Sequence, residues 1–288
     1  MDTNSDIAPG APARSGTPAG VEADLHYLTP MSERPYTYAY EPPAGTPRTN
    51  AMYEARRVLI RNARPDAADL RLDRDGFALV RQASAVRDFY DEDELRRVYY
   101  PEAEQLVAAA TGAARVVVFD HTIRRRVWGA EDRSAGTPRQ PVPRVHNDYT
   151  ETSAPQRVRD LMGAEAETLL ARRFEIINVW RPIRGPLQDS PLAVAAAASV
   201  DPADLVVSDL IYRDRRGETC AVQFNPRHRW FYAPDMQPDE AWLLKCFDSA
   251  RDGRARLSPH TAFEDPTAPA DMNPRESIEL RTLVLHDA

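Results

Sequence analysis

The segment Val145-His146-Asn147-Asp148-Tyr149-Thr150 carries the residue types best able to do chemistry. Residues two apart on an extended strand point to the same face. His146 and Asp148 therefore present an imidazole nitrogen and a carboxylate oxygen side by side. Such a pair can bind one metal ion. Taken alone, His-x-Asp is a common tripeptide. A histidine hydrogen-bonded to its neighbour's carboxylate is then the plainer explanation.

Downstream residues change that balance. A distant histidine as third ligand would make a 2-His-1-carboxylate facial triad. This triad leaves three metal positions open for a bidentate co-substrate and O2, which marks non-haem Fe(II) oxygenases. His260, in Ser258-Pro259-His260-Thr261-Ala262-Phe263, is the preferred candidate. It is followed by Arg275-Glu276-Ser277, where the last strand is expected to open. In oxygenases of this class the distal histidine precedes a strand whose arginine forks onto the far carboxylate of 2-oxoglutarate. A guanidinium suits that bidentate role. Arg275 is the first choice, with Ser277 beside it. Arg281, on the same strand face, is a candidate to assist or replace it. His228, in Asn225-Pro226-Arg227-His228-Arg229-Trp230, competes with His260 as the distal ligand. Three polar residues are candidates to meet a substrate: Arg124, in a run of three arginines, and Asn178 and Arg181, in Asn178-Val179-Trp180-Arg181-Pro182.

These residues need strands to hold them. Asp24–Leu28, Tyr36–Tyr40, Met52–Asn62 and Gly76–Arg81 read as strands from their alternation and β-branched centres. Asp91–Ala110 reads as a helix, with Pro101 as an interruption and Gly112 as its end. Arg115–Ile123, Arg144–Tyr149 and Phe174–Trp180 read as strands, with a helical stretch over Pro155–Arg172. Pro191–Ser199, Leu205–Tyr212, Glu218–Asn225, Trp230–Tyr232 and Ser277–His286 follow as strands. Ala241–Phe247 fits strand or helix. About eight strands of this later set, with helices before and beside them, predict a mainly β fold with flanking helices. The economical architecture is a double-stranded β-helix, or jelly roll.

Composition bounds the class. The chain has 288 residues, enough for one large domain. Residues 1–22 are rich in Ala, Pro, Gly, Ser and Thr and read as a disordered leader. Residues 23–288 are expected to form a single domain. The net charge of -7 argues against a general nucleic-acid binder. No apolar run approaches the roughly 20 residues that span a bilayer. Two cysteines, Cys220 and Cys246, make no disulfide framework, and a cytoplasmic setting is expected. The basic residues are nearly all arginine, and Lys245 is the one lysine.

Taken in order, several motifs form a recognisable set. The first half is Asp120-His121-Thr122-Ile123-Arg124-Arg125, the His146–Asp148 segment and Asn178-Val179-Trp180-Arg181-Pro182. The second half is Asp189-Ser190-Pro191-Leu192-Ala193, His228-Arg229-Trp230-Phe231-Tyr232, Phe247-Asp248-Ser249, Pro259-His260-Thr261-Ala262-Phe263 and Arg275-Glu276-Ser277-Ile278-Glu279. Over about residues 25 to 286 the chain resembles a family of Fe(II)/2-oxoglutarate-dependent dioxygenase-like proteins. That family groups gibberellin-desaturase-like enzymes, the novofumigatonin endoperoxidase and a cephamycin 7-alpha-methoxylation subunit. The run Ala195–Ala198 departs from it, since a more polar stretch is expected there.

The resemblance implies a jelly-roll oxygenase that hydroxylates or desaturates a small-molecule secondary metabolite. It implies Fe(II) and 2-oxoglutarate as cofactors, O2 as co-substrate, and His146, Asp148 and His260 as metal ligands. Two rivals stand beside it. One is a zinc-dependent hydrolase on the same scaffold. The other is a binding protein that has lost its metal.

Overall fold

Two β-sheets face each other across an apolar interior, as the jelly-roll expectation requires. The computed structural model describes residues 8–9, 19–130, 132 and 136–287. The strands are β1 (Ala8–Pro9), β2 (Gly20–Leu28), β3 (Tyr36–Tyr38), β4 (Tyr53–Asn62), β5 (Phe77–Arg81), β6 (Arg115–Arg125), β7 (His146–Asn147) and β8 (Phe174–Pro182). They continue with β9 (Leu192–Ala195), β10 (Leu205–Ile211), β11 (Arg216–Val222), β12 (Trp230–Tyr232), β13 (Glu240–Asp248), β14 (His260–Ala262) and β15 (Glu276–Leu285). One sheet runs β1-β5-β13-β8-β15-β6, and the other β2-β4-β12-β9-β14-β7-β11-β10-β3.

The interior is built by alternation. On the six-stranded sheet, Phe77 and Leu79 of β5, Trp242 and Leu244 of β13, and Ile176 and Trp180 of β8 point inward. Leu192 and Val194 of β9 meet them from the other sheet. The opposite face of the six-stranded sheet, with Ile177, Val179, Leu243, Ile278 and Leu280, packs under the helix over Tyr100–Thr111. Because β8, β13 and β15 are covered on both faces, their residues are nearly all buried.

Several elements differ from the sequence expectation. Fifteen strands are found among the described residues, not about eight, because many are two to four residues long and carry no periodic signal. Ala241–Phe247 resolves as strand β13. The strand expected over Pro191–Ser199 stops at Ala195, and Ala197–Ser199 form a 3-10 turn. Ala195 and Ala196 are buried, so the polar stretch expected there is replaced by packing. The Asp91–Ala110 helix is broken. Asp91 caps α2 (Glu92–Glu94), a π turn follows over Leu95–Tyr99, and the short helix α1 (Leu72–Asp75) lies ahead of both. The long helix, α3 (Tyr100–Thr111), carries Pro101 in its first turn, where a missing N–H costs least. Of the leader expected over 1–22, residues 20–22 belong to β2 and Ala8–Pro9 pair with β5; most of the remainder lies outside the described residues. No helix among the described residues is long and apolar enough to cross a membrane.

The one lysine closes the far end of the interior. Lys245 is fully buried, and its Nζ lies 2.6 Å from Asp73, 2.9 Å from Glu175 and 2.7 Å from Asp248. Burial pulls its pKa down, but Glu175 and Asp248 outweigh that and hold it above the ordinary lysine value. Asp73 also accepts from Arg254 at 3.1 Å, and its carbonyl accepts from the Ala255 N–H at 2.7 Å. The cage therefore ties β13 and β8 to the loop that leads into His260. Gly76 lets that loop come close: its φ is 87°, and a Cβ there would lie 2.8 Å from the Leu257 carbonyl. Lys245→Met would leave three carboxylates without their ammonium. Chemical denaturation should show a loss of about 3–5 kcal/mol; an unchanged midpoint would mean the cage is not holding the fold.

Candidate functional site

His146 and His260 meet because short strands β7 and β14 pair directly, with His146 opposite His260 in register. The ring centroids are 4.6 Å apart. The same device orients both rings. His146 Nδ1 lies 2.8 Å from the Arg144 carbonyl, and His260 Nδ1 lies 3.1 Å from the Ser258 carbonyl. In each case an Nδ1–H donates to the carbonyl two residues back, which leaves Nε2 as the free lone pair. Burial and the facing His260 push His146 down to about 3, so its ring is neutral and ready to bind a cation.

Asp148 follows β7 and faces the same way as His146. Its Oδ1 is 3.5 Å from His146 Nε2. One donor atom from each of His146, Asp148 and His260 lies within 4.8 Å of the others. Small side-chain movements would bring these atoms onto one ion with bonds of about 2.0–2.2 Å. The donor set fits Fe(II): two neutral imidazoles and one carboxylate, with no fourth protein ligand among the described residues. Burial would raise the Asp148 pKa, but His260, Arg281, His146 and the Asn178 amide hold it well below the ordinary carboxylate value.

Between His146 and Asp148, Asn147 is fully buried. Its Nδ2 donates to the Tyr149 and Cys246 carbonyls, each at 2.9 Å. This pins β7 to β13 of the facing sheet.

The outer oxygen of Asp148 is also held. Asn178 Nδ2 donates to Asp148 Oδ2 at 2.7 Å, and Arg281 Nε lies 3.8 Å from the same oxygen. Asn178 and Arg281 are partners in the β8–β15 register. Arg281 is otherwise taken up by Glu279 at 2.6 Å, Asp120 at 3.1 Å and Thr122 at 3.0 Å.

Arg275 stands differently. It is 2% exposed and lies over Trp180, with 4.9 Å from its guanidinium carbon to the ring centroid. Nε donates to Ser277 Oγ at 2.9 Å and Nη1 to the Ser190 carbonyl at 2.7 Å. Among the described residues no carboxylate is bonded to its guanidinium. Burial and the neighbouring Arg124 push its pKa down to about 9, the mark of a cation short of an anion. Arg126 supports the approach: its N–H donates to the Arg275 carbonyl at 2.8 Å and its Nη1 to Ser190 Oγ at 2.9 Å.

The structure thus brings together His146, Asp148, His260, Asn178 and Arg281, with Arg275 and Ser277 on the same inward face of β15. Arg124 lies opposite Ser277 on β6 and donates to the Gln140 carbonyl at 2.8 Å. Two residues are elsewhere. His228 is stacked on Tyr27 and bonded to Asp204 at 3.0 Å, so it does not join the cluster. Arg181 is fully buried on the opposite face of β8, over Tyr99, with hydrogen bonds to Gln82 and the Pro238 carbonyl. It therefore does not join the three-donor cluster, where the substrate role expected for it would place it. Asn178 and Arg181 are three apart, and the strand period of two puts them on opposite faces. That spacing was the available signal. Arg126 was marked only by the run of three arginines, and Ser190 and Asn147 only by their place in the motifs.

Comparison with known proteins agrees with this geometry. Residues 25–285 match the family described as Oxidoreductase/YMDC permease-like domain. The chain is 37% identical over 257 residues to the hydroxylase/desaturase efuI of Hormonema carpetanum, covering 82% of this chain and 85% of that protein. It is 31% identical over 279 residues to the Fe(II)/2-oxoglutarate-dependent dioxygenase nvfI of Aspergillus novofumigatus, covering 93% and 98%. A solved structure of the iron and alpha-ketoglutarate-dependent endoperoxidase NvfI superposes with a TM-score of 0.85 at 29% identity, over 94% of this chain and 100% of that one. The chain belongs to this family, the grouping that holds these hydroxylase/desaturases, Fe(II)/2-oxoglutarate-dependent dioxygenases and the NvfI endoperoxidase.

Proposed function

We propose that this chain is an Fe(II)- and 2-oxoglutarate-dependent oxygenase that hydroxylates or desaturates a small-molecule secondary metabolite, with its chemistry centred on His146, Asp148 and His260. The observation that carries the reading is the pairing of a three-donor cluster with a buried arginine whose guanidinium has no carboxylate bonded to it among the described residues. Relatives named as dioxygenases and hydroxylase/desaturases support it over zinc-dependent hydrolysis or metal-free binding. A hydrolase would have no use for Arg275 held in this state.

Each residue has a distinct task. His146 and His260 offer Nε2, and Asp148 offers Oδ1, to the metal. Arg275, braced by Ser277 and the Ser190 carbonyl, receives the far carboxylate of 2-oxoglutarate. When bound, Fe(II) and 2-oxoglutarate supply the oxidising chemistry, in which O2 is consumed, succinate and CO2 are released, and hydrogen is taken from the substrate. The protein orients the reactants and keeps water out with Trp180, Trp242, Phe77 and Leu244 around the interior. Arg124, half-buried beside Ser277, is the remaining candidate for contact with substrate. Residues 23–288 serve as one oxygenase domain. The cytoplasmic setting rests on two buried cysteines with no disulfide between them, and the net charge of -7 supports a partner list without nucleic acid.

The test is succinate release from 2-oxoglutarate. It should require Fe(II) and O2 and vanish in His146→Ala and His260→Ala, while His228→Ala keeps it. Loss in His228→Ala alone would move the third ligand. Arg275→Gln removes a charge-assisted pair of about 1.5–3 kcal/mol. The KM for 2-oxoglutarate should rise roughly 10- to 100-fold with a smaller change in kcat. An unchanged KM would mean that another residue anchors the co-substrate.

A further inference from the structure

Asn178 is an unusual residue for its position. It lies on the inward face of β8, between Leu244 of β13 and Arg281 of β15, and is fully buried. Its neighbours along that face, Ile176 and Trp180, are apolar core. An apolar side chain of the same shape would fill the space. The amide instead makes one bond, to Asp148 Oδ2 at 2.7 Å, and its Oδ1 has no partner. A buried acceptor left open is unfavourable. Packing alone therefore does not account for an asparagine here.

The geometry points to Asn178 as a positioning residue for the metal-binding carboxylate, a reading that rests on the ligand assignment proposed above. Nδ2 fixes Oδ2 on the side away from the histidines. Oδ1 is then the oxygen presented beside His146 Nε2, at 3.5 Å. Arg281 adds its charge behind the same Oδ2 at 3.8 Å, and is itself held by Glu279, Asp120 and Thr122. Asp148 would thereby offer a bound metal its Oδ1 alone, with Oδ2 held away by Asn178 and Arg281. Outer partners of this kind set ligand orientation and metal affinity.

Cobalt(II) titration of the full chain, followed by visible absorption, tests this without turnover. Asn178→Leu keeps the volume and removes the amide. Asn178→Asp, titrated at a pH where the new carboxyl is ionised, keeps the shape and removes the donor. Both should bind Co(II) about 10- to 100-fold more weakly than the parent. Their absorption envelopes should change, because Asp148 is free to turn. Melting of the metal-free chain should show Asn178→Leu folded and close to the parent. If Asn178→Leu binds Co(II) with parental affinity and spectrum, Asn178 does not position the ligand. If Asn178→Asp matches the parent, its donor is not needed and the proposal fails. His146→Ala is the separate control. It should abolish Co(II) binding at this site, and parental binding in it would overturn the ligand assignment itself.

Discussion

The two sheets meet chemically at one carboxylate. Asp148 comes from the nine-stranded side, just after β7, and its outer oxygen is bonded to Asn178 of the six-stranded side at 2.7 Å. Asn147 makes the neighbouring tie, from β7 to the Cys246 carbonyl on β13. These two bonds fix the distance between the sheets where the candidate ligands lie. His146 and His260 then need only the β7–β14 register to face Asp148 together. Hydrogen bonds from buried amides are suited to this task, because breaking them leaves the Asn147 and Asn178 N–H groups away from water.

Charge is graded along the inward face of β15. Arg281 stands beside Asp148 and is neutralised by Glu279 and Asp120. Arg275, six residues earlier on the same face, has no carboxylate bonded to it among the described residues. The two arginines looked alike as candidate anchors in sequence. Their surroundings separate them: one completes an internal network of carboxylates, and the guanidinium of the other is bonded to Ser277 Oγ and the Ser190 carbonyl instead. Trp180 lies between these two levels and covers the Arg275 guanidinium with its ring. The Lys245 cage does comparable work at the other end, where it fixes the loop that delivers His260.

The proximity of His146 and Asp148 was legible because a strand of period two makes them cofacial, whatever the rest of the fold. The long strands β4, β6, β8 and β15 were legible for the same reason. Strands of two or three residues, β7, β12 and β14 among them, are defined by their neighbours' hydrogen bonds and leave little trace in a pattern. Choosing between His260 and His228 therefore needed the pairing of β14 with β7 and the Tyr27–Asp204 surroundings of His228. The same alternation places Arg181 on the face of β8 opposite Asn178, over Tyr99. Asn178 was singled out as a polar residue among apolar ones, but its partner, 30 positions earlier, is set by the meeting of two sheets.

The central claim is that one cluster holds Fe(II) and 2-oxoglutarate together. Anaerobic titration of the metal-free chain with Fe(II) and then 2-oxoglutarate addresses it directly. The account predicts a weak visible charge-transfer band that grows to one equivalent of 2-oxoglutarate and is absent in His146→Ala. A chain shown to contain Fe(II) that gives no band on addition of 2-oxoglutarate would contradict it.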